Sequence, residues 1–298
     1  MSYLRKNDYD KVLLENHPTQ FLSLKWRKNY LKYKDRYYYH CHNEFVGSYG
    51  CDSIIKNTKN FICVSNYIAN SVKCYTGVCN HKISVLRNCV DENVFSRKLS
   101  DDEKNKLRQK YNIKPTDKVI LFTGRLVPEK GVKELLRALR EVKSKNYKLL
   151  ILGKSLNDLD TKTKFEEELE SVLTTELNNN VVFTGFIDYK DIYKFYSLAD
   201  FSVLPSIWND PAPLTIIESL VSGVPIISTN SGGIPEYATE KSAILLERDD
   251  LLEQNIAKNI DVLLSDSKKL DLMSESALKV SSELSRKSFY DNFCNLIF

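Results

Sequence analysis

KVILFTGRLVPEKGVKELL, residues 118–136, decides how the rest of the chain is read. An apolar run of strand length ends at Gly124, and a polar turn follows. Apolar residues then return at three- and four-residue spacing: Val132, Leu135, Leu139 and Val142. The first part reads as a buried strand and the last as an amphipathic helix. Gly124 allows the backbone to turn tightly at the strand end. Arg125 stands just beyond it, and Lys130 and Gly131 open the helix. A helix start presents free N–H groups and a positive dipole end. An arginine binds paired anionic oxygens bidentately, and a lysine adds a point charge. Together these features suit a diphosphate, although Lys130 alone reads equally as a solvated lysine.

The same alternation runs onward from this stretch. YKLLILG (147–153), VVFTGF (181–186), DFSVLPS (200–206), PIIST (225–229) and AILLE (243–247) read as strands. TKFEEELESVLTTEL (163–177), DIYKFYSLA (191–199) and PLTIIESLVSG (213–223) read as helices, and long helical segments follow from about Asp249. Pro213 suits a first helical turn and Gly223 a helix end. Alternating strands and helices imply a parallel sheet covered on both faces. Ligands of such sheets bind beyond the carboxyl ends of the strands. The polar residues after each strand therefore carry the functional reading. These are Gly124-Arg125, Gly153-Lys154, Gly185-Phe186, Ser206 to Asp210, and Thr229 to Glu236.

Two of these segments hold acids. PSIWNDPAPLTIIE (205–218) places Asp210 in a loop stiffened by Pro205, Pro211 and Pro213, with Glu218 just over a turn into the next helix. Carboxylates at such places accept hydrogen bonds from vicinal hydroxyls of a sugar or ribose. Taken singly, Asp210 also fits a turn or helix-start acid, and Glu218 an exposed helix acid. STNSGGIPEYA (228–238) follows a later strand, where Gly232 and Gly233 let the backbone approach a ligand closely.

Towards the amino end the pattern is thinner. DKVLLEN, DRYYYHCHN, NFICVSN and KISVLRNCVDENVF read as four strands, with QFLSLKWRKNYLK (20–32) as a helix between the first two. A charged connector near residues 97–116 sets the expected boundary between a first domain, 1–100, and a second, 101–298.

The 298 residues fit two domains, with 42% hydrophobic and 28% charged residues, as in soluble globular proteins. A net charge of +4 gives no case for nucleic acid. Residues 25–36 concentrate six basic side chains and one acid around Trp26, Tyr30 and Tyr33. That stretch fits either a solvated helix face or a contact with anionic lipid headgroups; no nucleic-acid motif accompanies it. Seven cysteines without a CxxC pair point to a reducing compartment and not to a disulfide framework. The four histidines show no zinc spacing, so no metal site is expected. With no apolar leader segment or membrane-span run, the expected location is the cytoplasm, with peripheral contact at the inner face of the membrane.

As a set, the motifs resemble glycosyltransferase family 4, retaining enzymes of the GT-B fold. The resemblance rests on GRLVPEKG at 124–131, on acids separated by seven residues (Asp210 and Glu218), and on Gly232-Gly233 followed by Glu236. FICVSNYI (61–68) and LRNCVDENVF (86–95) extend it forward, with Cys89 where a glycine is usual. It implies two Rossmann-like domains and a hexosyltransferase that retains anomeric configuration. By this resemblance Arg125 and Lys130 hold the donor diphosphate, Glu218 the ribose, and Asp210 faces the transferred sugar. Asp210 is one methylene shorter than the family's usual glutamate. Gly124, Gly153, Phe186, Pro213, Leu214, Gly232 and Gly233 would complete the donor site. His40 would line the acceptor side, with His42 as a close competitor. No cofactor or metal is required, UDP is the expected nucleotide, and a glycan or lipid-linked oligosaccharide, as in cell-surface polysaccharide synthesis, is the expected acceptor. The resemblance also implies that the first part of the amino-terminal domain is absent. Three explanations fit: a start at an internal Met, a partner chain supplying the missing half, or a nucleotide-sugar-binding module without transfer activity.

Overall fold

A computed structural model describes residues 2–154, 163–173 and 175–298. The chain forms two compact units, one from the start to Asn88 together with Phe289–Phe298, the other Cys89–Ser288.

Four strands make the sheet of the first unit: β1 (Val12–Glu15), β2 (Tyr37–Cys41), β3 (Asn60–Cys63) and β4 (Ile83–Val85). All pair in parallel, in sequence order. Every residue of β2 is buried, as its run of aromatic and small residues requires of a strand covered on both faces. Glu15 pairs with His40, so the end of β1 lies beside the end of β2. One core cluster joins Tyr38, Ile62 and Leu86 to Ile297, with Phe289, Phe293 and Leu296 packed against it.

Two elements of this unit differ from the sequence expectation. Residues 20–32 do not form one helix. They form α1 (Phe21–Lys25), a tight turn, and α2 (Asn29–Lys32), because Arg27 and Lys28 take left-handed backbone angles. Such angles disfavour non-glycine residues by roughly 1–2 kcal/mol each. The break places Asn29 in the interior, where its side-chain amide donates to the Ser23 carbonyl. Three of the six basic groups of this stretch bond the chain's own carbonyls: Lys25 to Gly50, Lys32 to Leu4, Arg5 and Asn7, and Arg36 to Tyr9 and Lys32. The fourth expected strand is also shorter. Only Ile83–Val85 pairs within the sheet, and the Asp91 side chain then caps a short helix, Glu92–Phe95, by accepting from the Asn93 N–H. After β3, Ser65 caps α3 (Asn66–Thr76), which Gly77 ends in a left-handed conformation.

The charged stretch at 97–116 belongs to the second unit, and the division falls earlier, after Asn88. It contains α4 (Asp101–Lys110), whose start is a capping box between Ser100 and Glu103. The Leu99 N–H donates to Ser197 Oγ at 2.9 Å, and Lys98 Nζ to the Ser222 carbonyl at 2.7 Å.

The sheet of the second unit has six parallel strands: β5 (Lys118–Thr123), β6 (Tyr147–Leu152), β7 (Val181–Gly185), β8 (Phe201–Leu204), β9 (Ile226–Thr229) and β10 (Ala243–Leu246). Their order is β10-β9-β8-β5-β6-β7. From β5 the chain winds outward through β6 and β7, then returns to the other side of β5 as β8. That reversal is the topological switch point of a doubly wound sheet, where the crevice for a ligand opens. The helices that frame it are α5 (Tyr189–Tyr196) and α6 (Leu214–Val221). All seven cysteines are free, and Cys63 is wholly buried, as its apolar setting predicts. No helix of the described residues is long and apolar enough to cross a membrane.

Candidate functional site

A cleft of about 560 Å³ opens in the second unit beyond the ends of β5, β6 and β7. Gly124, Arg125, Gly153, Phe186 and Glu218 line it, together with Thr123 and Thr215. These residues come from the ends of β5, β6 and β7 and from α6, and the glycines make their convergence possible. A side chain on Gly153 would put a Cβ 1.8 Å from the Gly124 carbonyl oxygen, so the β5 and β6 turns meet only without one. Phe186 is 75% exposed, an aromatic face set at the cleft wall with no burial to explain it. Arg125 is exposed on the same cleft.

Glu218 is different in kind. It is 6% exposed on α6, and burial pushes its carboxyl up to about 7, against the pull of a hydrogen bond from Tyr196. Tyr196 Oη lies 3.1 Å from Glu218 Oε2, 2.8 Å from Thr123 Oγ1 and 3.3 Å from the Thr215 carbonyl. Burial raises the tyrosine well above its usual range, so it stays a neutral donor. The hydroxyl thus anchors one carboxylate oxygen between β5 and α6.

Lys130 and Asp210 pair in an adjacent narrow crevice that also holds Pro213. Lys130 Nζ is 2.5 Å from Asp210 Oδ2, a charge-assisted contact with the acid side chain only 7% exposed. Thr123 and Thr215 line both the crevice and the cleft. The Asp210 loop is held from behind by the Gly-Gly segment. The Gly233 N–H donates to the Asp210 carbonyl at 2.8 Å, and a Cβ on Gly232 would stand 2.4 Å from that same oxygen. The close approach these glycines permit is to residues 209–210 of the chain itself. Leu214, at the first turn of α6, is half exposed and lines neither space.

His40 lies in the first unit, at the carboxyl end of β2. It is 5% exposed, its Nδ1 is 2.9 Å from Glu15 Oε1, and its Nε2 is enclosed with no partner. Burial holds the ring down at about 4; the neighbouring His42 adds to this and Glu15 opposes it. His42, partly exposed, contacts the same Glu15 oxygen at 2.6 Å and His40 Nδ1 at 3.1 Å.

Sequence reasoning had no place for Tyr196 or Thr123. The only signal was a tyrosine on the inner side of the 191–199 helix, whose buried hydroxyl must find a partner.

A doubly wound parallel sheet with an arginine, an aromatic face and a buried acid around its switch-point cleft defines an α/β protein with a cleft where sheets of this kind place ligands. Residues 103–280 match the family described as glycosyl transferases group 1, and the chain belongs to that family. It is 30% identical over 156 residues to the uncharacterized glycosyltransferase MJ1607 of Methanocaldococcus jannaschii, across 52% of this chain and 38% of that protein. It is also 30% identical over 190 residues to the capsular polysaccharide biosynthesis glycosyltransferase CapM of Staphylococcus aureus, across 62% of this chain and 47% of that protein. The chain therefore spans about half the length, or less, of these curated relatives. Among solved structures, Anabaena Alr3699/HepE in complex with UDP superposes with a TM-score of 0.81 over 96% of this chain and 78% of that one, at 19% identity. That likeness supports the two-sheet α/β fold of GT-B type.

Proposed function

We propose that the chain binds a nucleotide-diphosphate sugar, with UDP as the nucleotide, and transfers the hexose to a glycan or lipid-linked acceptor with retained configuration. The observation that carries this is the 560 Å³ cleft, where Arg125, Phe186 and the Tyr196-anchored Glu218 face one space. UDP is favoured because the Anabaena neighbour is a UDP complex, and a glycan acceptor because CapM is named for capsular polysaccharide biosynthesis.

In this reading Phe186 stacks on the base and Glu218 accepts from the ribose hydroxyls. Gly124, Gly153 and Arg125 bring backbone and guanidinium to the diphosphate. Lys130 adds charge from the crevice beside it, and Asp210 orients both Lys130 and the sugar. The sugar C1–O bond to the diphosphate breaks, and the diphosphate leaves with the electron pair. The acceptor oxygen bonds C1 on the same face, and its proton passes to the departing phosphate oxygen. Fixed cations aimed at the developing charge are the largest contribution such a site can make, and they do it without a metal at the diphosphate. An acceptor-side role for His40 acts through His42, the more exposed ring of its pair.

Thermal unfolding against UDP, GDP, ADP and UDP-sugars tests the donor site. A ligand at about 100 times its Kd adds about 2.7 kcal/mol of stability. The expected result is a shift with UDP that Arg125→Ala removes. No shift with any nucleotide overturns the reading.

A further inference from the structure

The geometry points to a divalent transition-metal site in the first unit, formed by Glu15, His40 and His42, and we propose that it binds one such ion. Three potential ligand atoms converge there. His40 Nδ1 and Glu15 Oε1 are 2.9 Å apart, His42 Nε2 and Glu15 Oε1 2.6 Å, and the two ring nitrogens 3.1 Å. All three atoms contact one another and no other partner among the described residues. Here two rings share one oxygen, and their own nitrogens stand within hydrogen-bond distance with no third group to separate them.

An ion bonded at about 2.1 Å to each atom would see the three at roughly 75–95°, given these edges. That is nearer the facial arrangement of a six-coordinate site than a tetrahedral one, and two imidazoles with one carboxylate is the donor set that binds iron, manganese, cobalt or nickel in that way. The remaining positions would hold water.

The backbone around the cluster fixes its shape. Asn16, next to Glu15, has a left-handed conformation. Its N–H donates to the His40 carbonyl at 2.8 Å, and its side-chain oxygen accepts from the His42 N–H at 3.2 Å. The two loop ends that carry the ligands are therefore tied to one residue. Access is open, since Glu15 is half exposed and His42 a third exposed, while His40 forms the floor. The cluster sits at the carboxyl ends of β1 and β2, where sheets of this kind place ligands.

The test is isothermal titration of the whole, chelator-stripped chain with Co²⁺ and with Zn²⁺, with the visible spectrum of the Co²⁺ form recorded alongside. One ion per chain is expected, with the weak bands of a nitrogen–oxygen site. Affinity should fall at least tenfold in His42→Ala and in Glu15→Gln, the scale seen when metal-site partners are lost, and stay unchanged in Cys74→Ser/Cys79→Ser. If His42→Ala lowers the melting temperature of the metal-free chain, the nearly isosteric Glu15→Gln gives the same reading without that effect. No binding overturns the proposal. So do thiolate charge-transfer bands that vanish with Cys74 and Cys79, or binding that both ligand variants leave intact.

Discussion

Glu218 is the buried acid of the cleft at the residue scale, and its titration is measurable. Its folded value of about 7 lies above the ordinary 4.5 because burial penalises the charge. Between those two values the folded chain holds a proton that the unfolded chain has released. Stability therefore falls as pH rises through that window and is level, in this respect, above it. The full change is about 3 kcal/mol, and Glu218→Gln should flatten it in denaturant titrations run from pH 4.5 to 8. On the proposed function, affinity for a UDP-sugar, whose diphosphate does not titrate in this range, should rise from pH 6 to 8 in the native chain, as the carboxylate forms and accepts from the ribose, and stay flat in Glu218→Gln. Phe186→Ala removes an exposed ring with no packing role. Calorimetry should show nucleotide affinity weakened by about 1–3 kcal/mol with the melting temperature unchanged. Both acids and Phe186 were legible because they follow strand ends in a clear alternation. Tyr196 was not, since a tyrosine within an amphipathic helix reads as core until its hydroxyl is seen between Thr123 and Glu218.

The Asp210 loop shows, at the scale of elements, how one segment serves another. Gly232→Ala should push on the Asp210 carbonyl, and its left-handed backbone disfavours a side chain as well. The expected outcome is a loss of about 1–3 kcal/mol in stability with a weaker Lys130–Asp210 pair and, on the proposed function, slower transfer. A variant as stable and as active as the native chain would contradict it. Strand-turn-helix units such as 118–136 were readable because periodicity, glycine and helix start all agreed. The break at Arg27–Lys28 was not, because neither residue signals a turn. It follows from the fit of Asn29 into the interior, a tertiary demand that overrides local preference. The capping box at Ser100 was present in the sequence but lay inside a run whose charge read as a connector.

At the scale of the molecule, the two units can be followed separately, because the first contains Trp26 and the second Trp208, the chain's two tryptophans. Ile297→Ala removes the tail residue buried against Tyr38, Ile62 and Leu86. In single-tryptophan variants it should lower the stability reported by Trp26 by about 2–4 kcal/mol and leave the Trp208 transition in place. Equal loss at both probes would show that the units unfold as one.

The tail that completes the first unit follows the whole of the second in the chain. On a ribosome, therefore, domains cannot mature in the order in which they are made. Until Phe289 to Ile297 are present, Tyr38, Ile62 and Leu86 lack the side chains that cover them, whereas every residue of the second unit precedes them. A released chain that ends at Ser288 should thus show a protease-resistant second unit behind a first unit still open to cleavage.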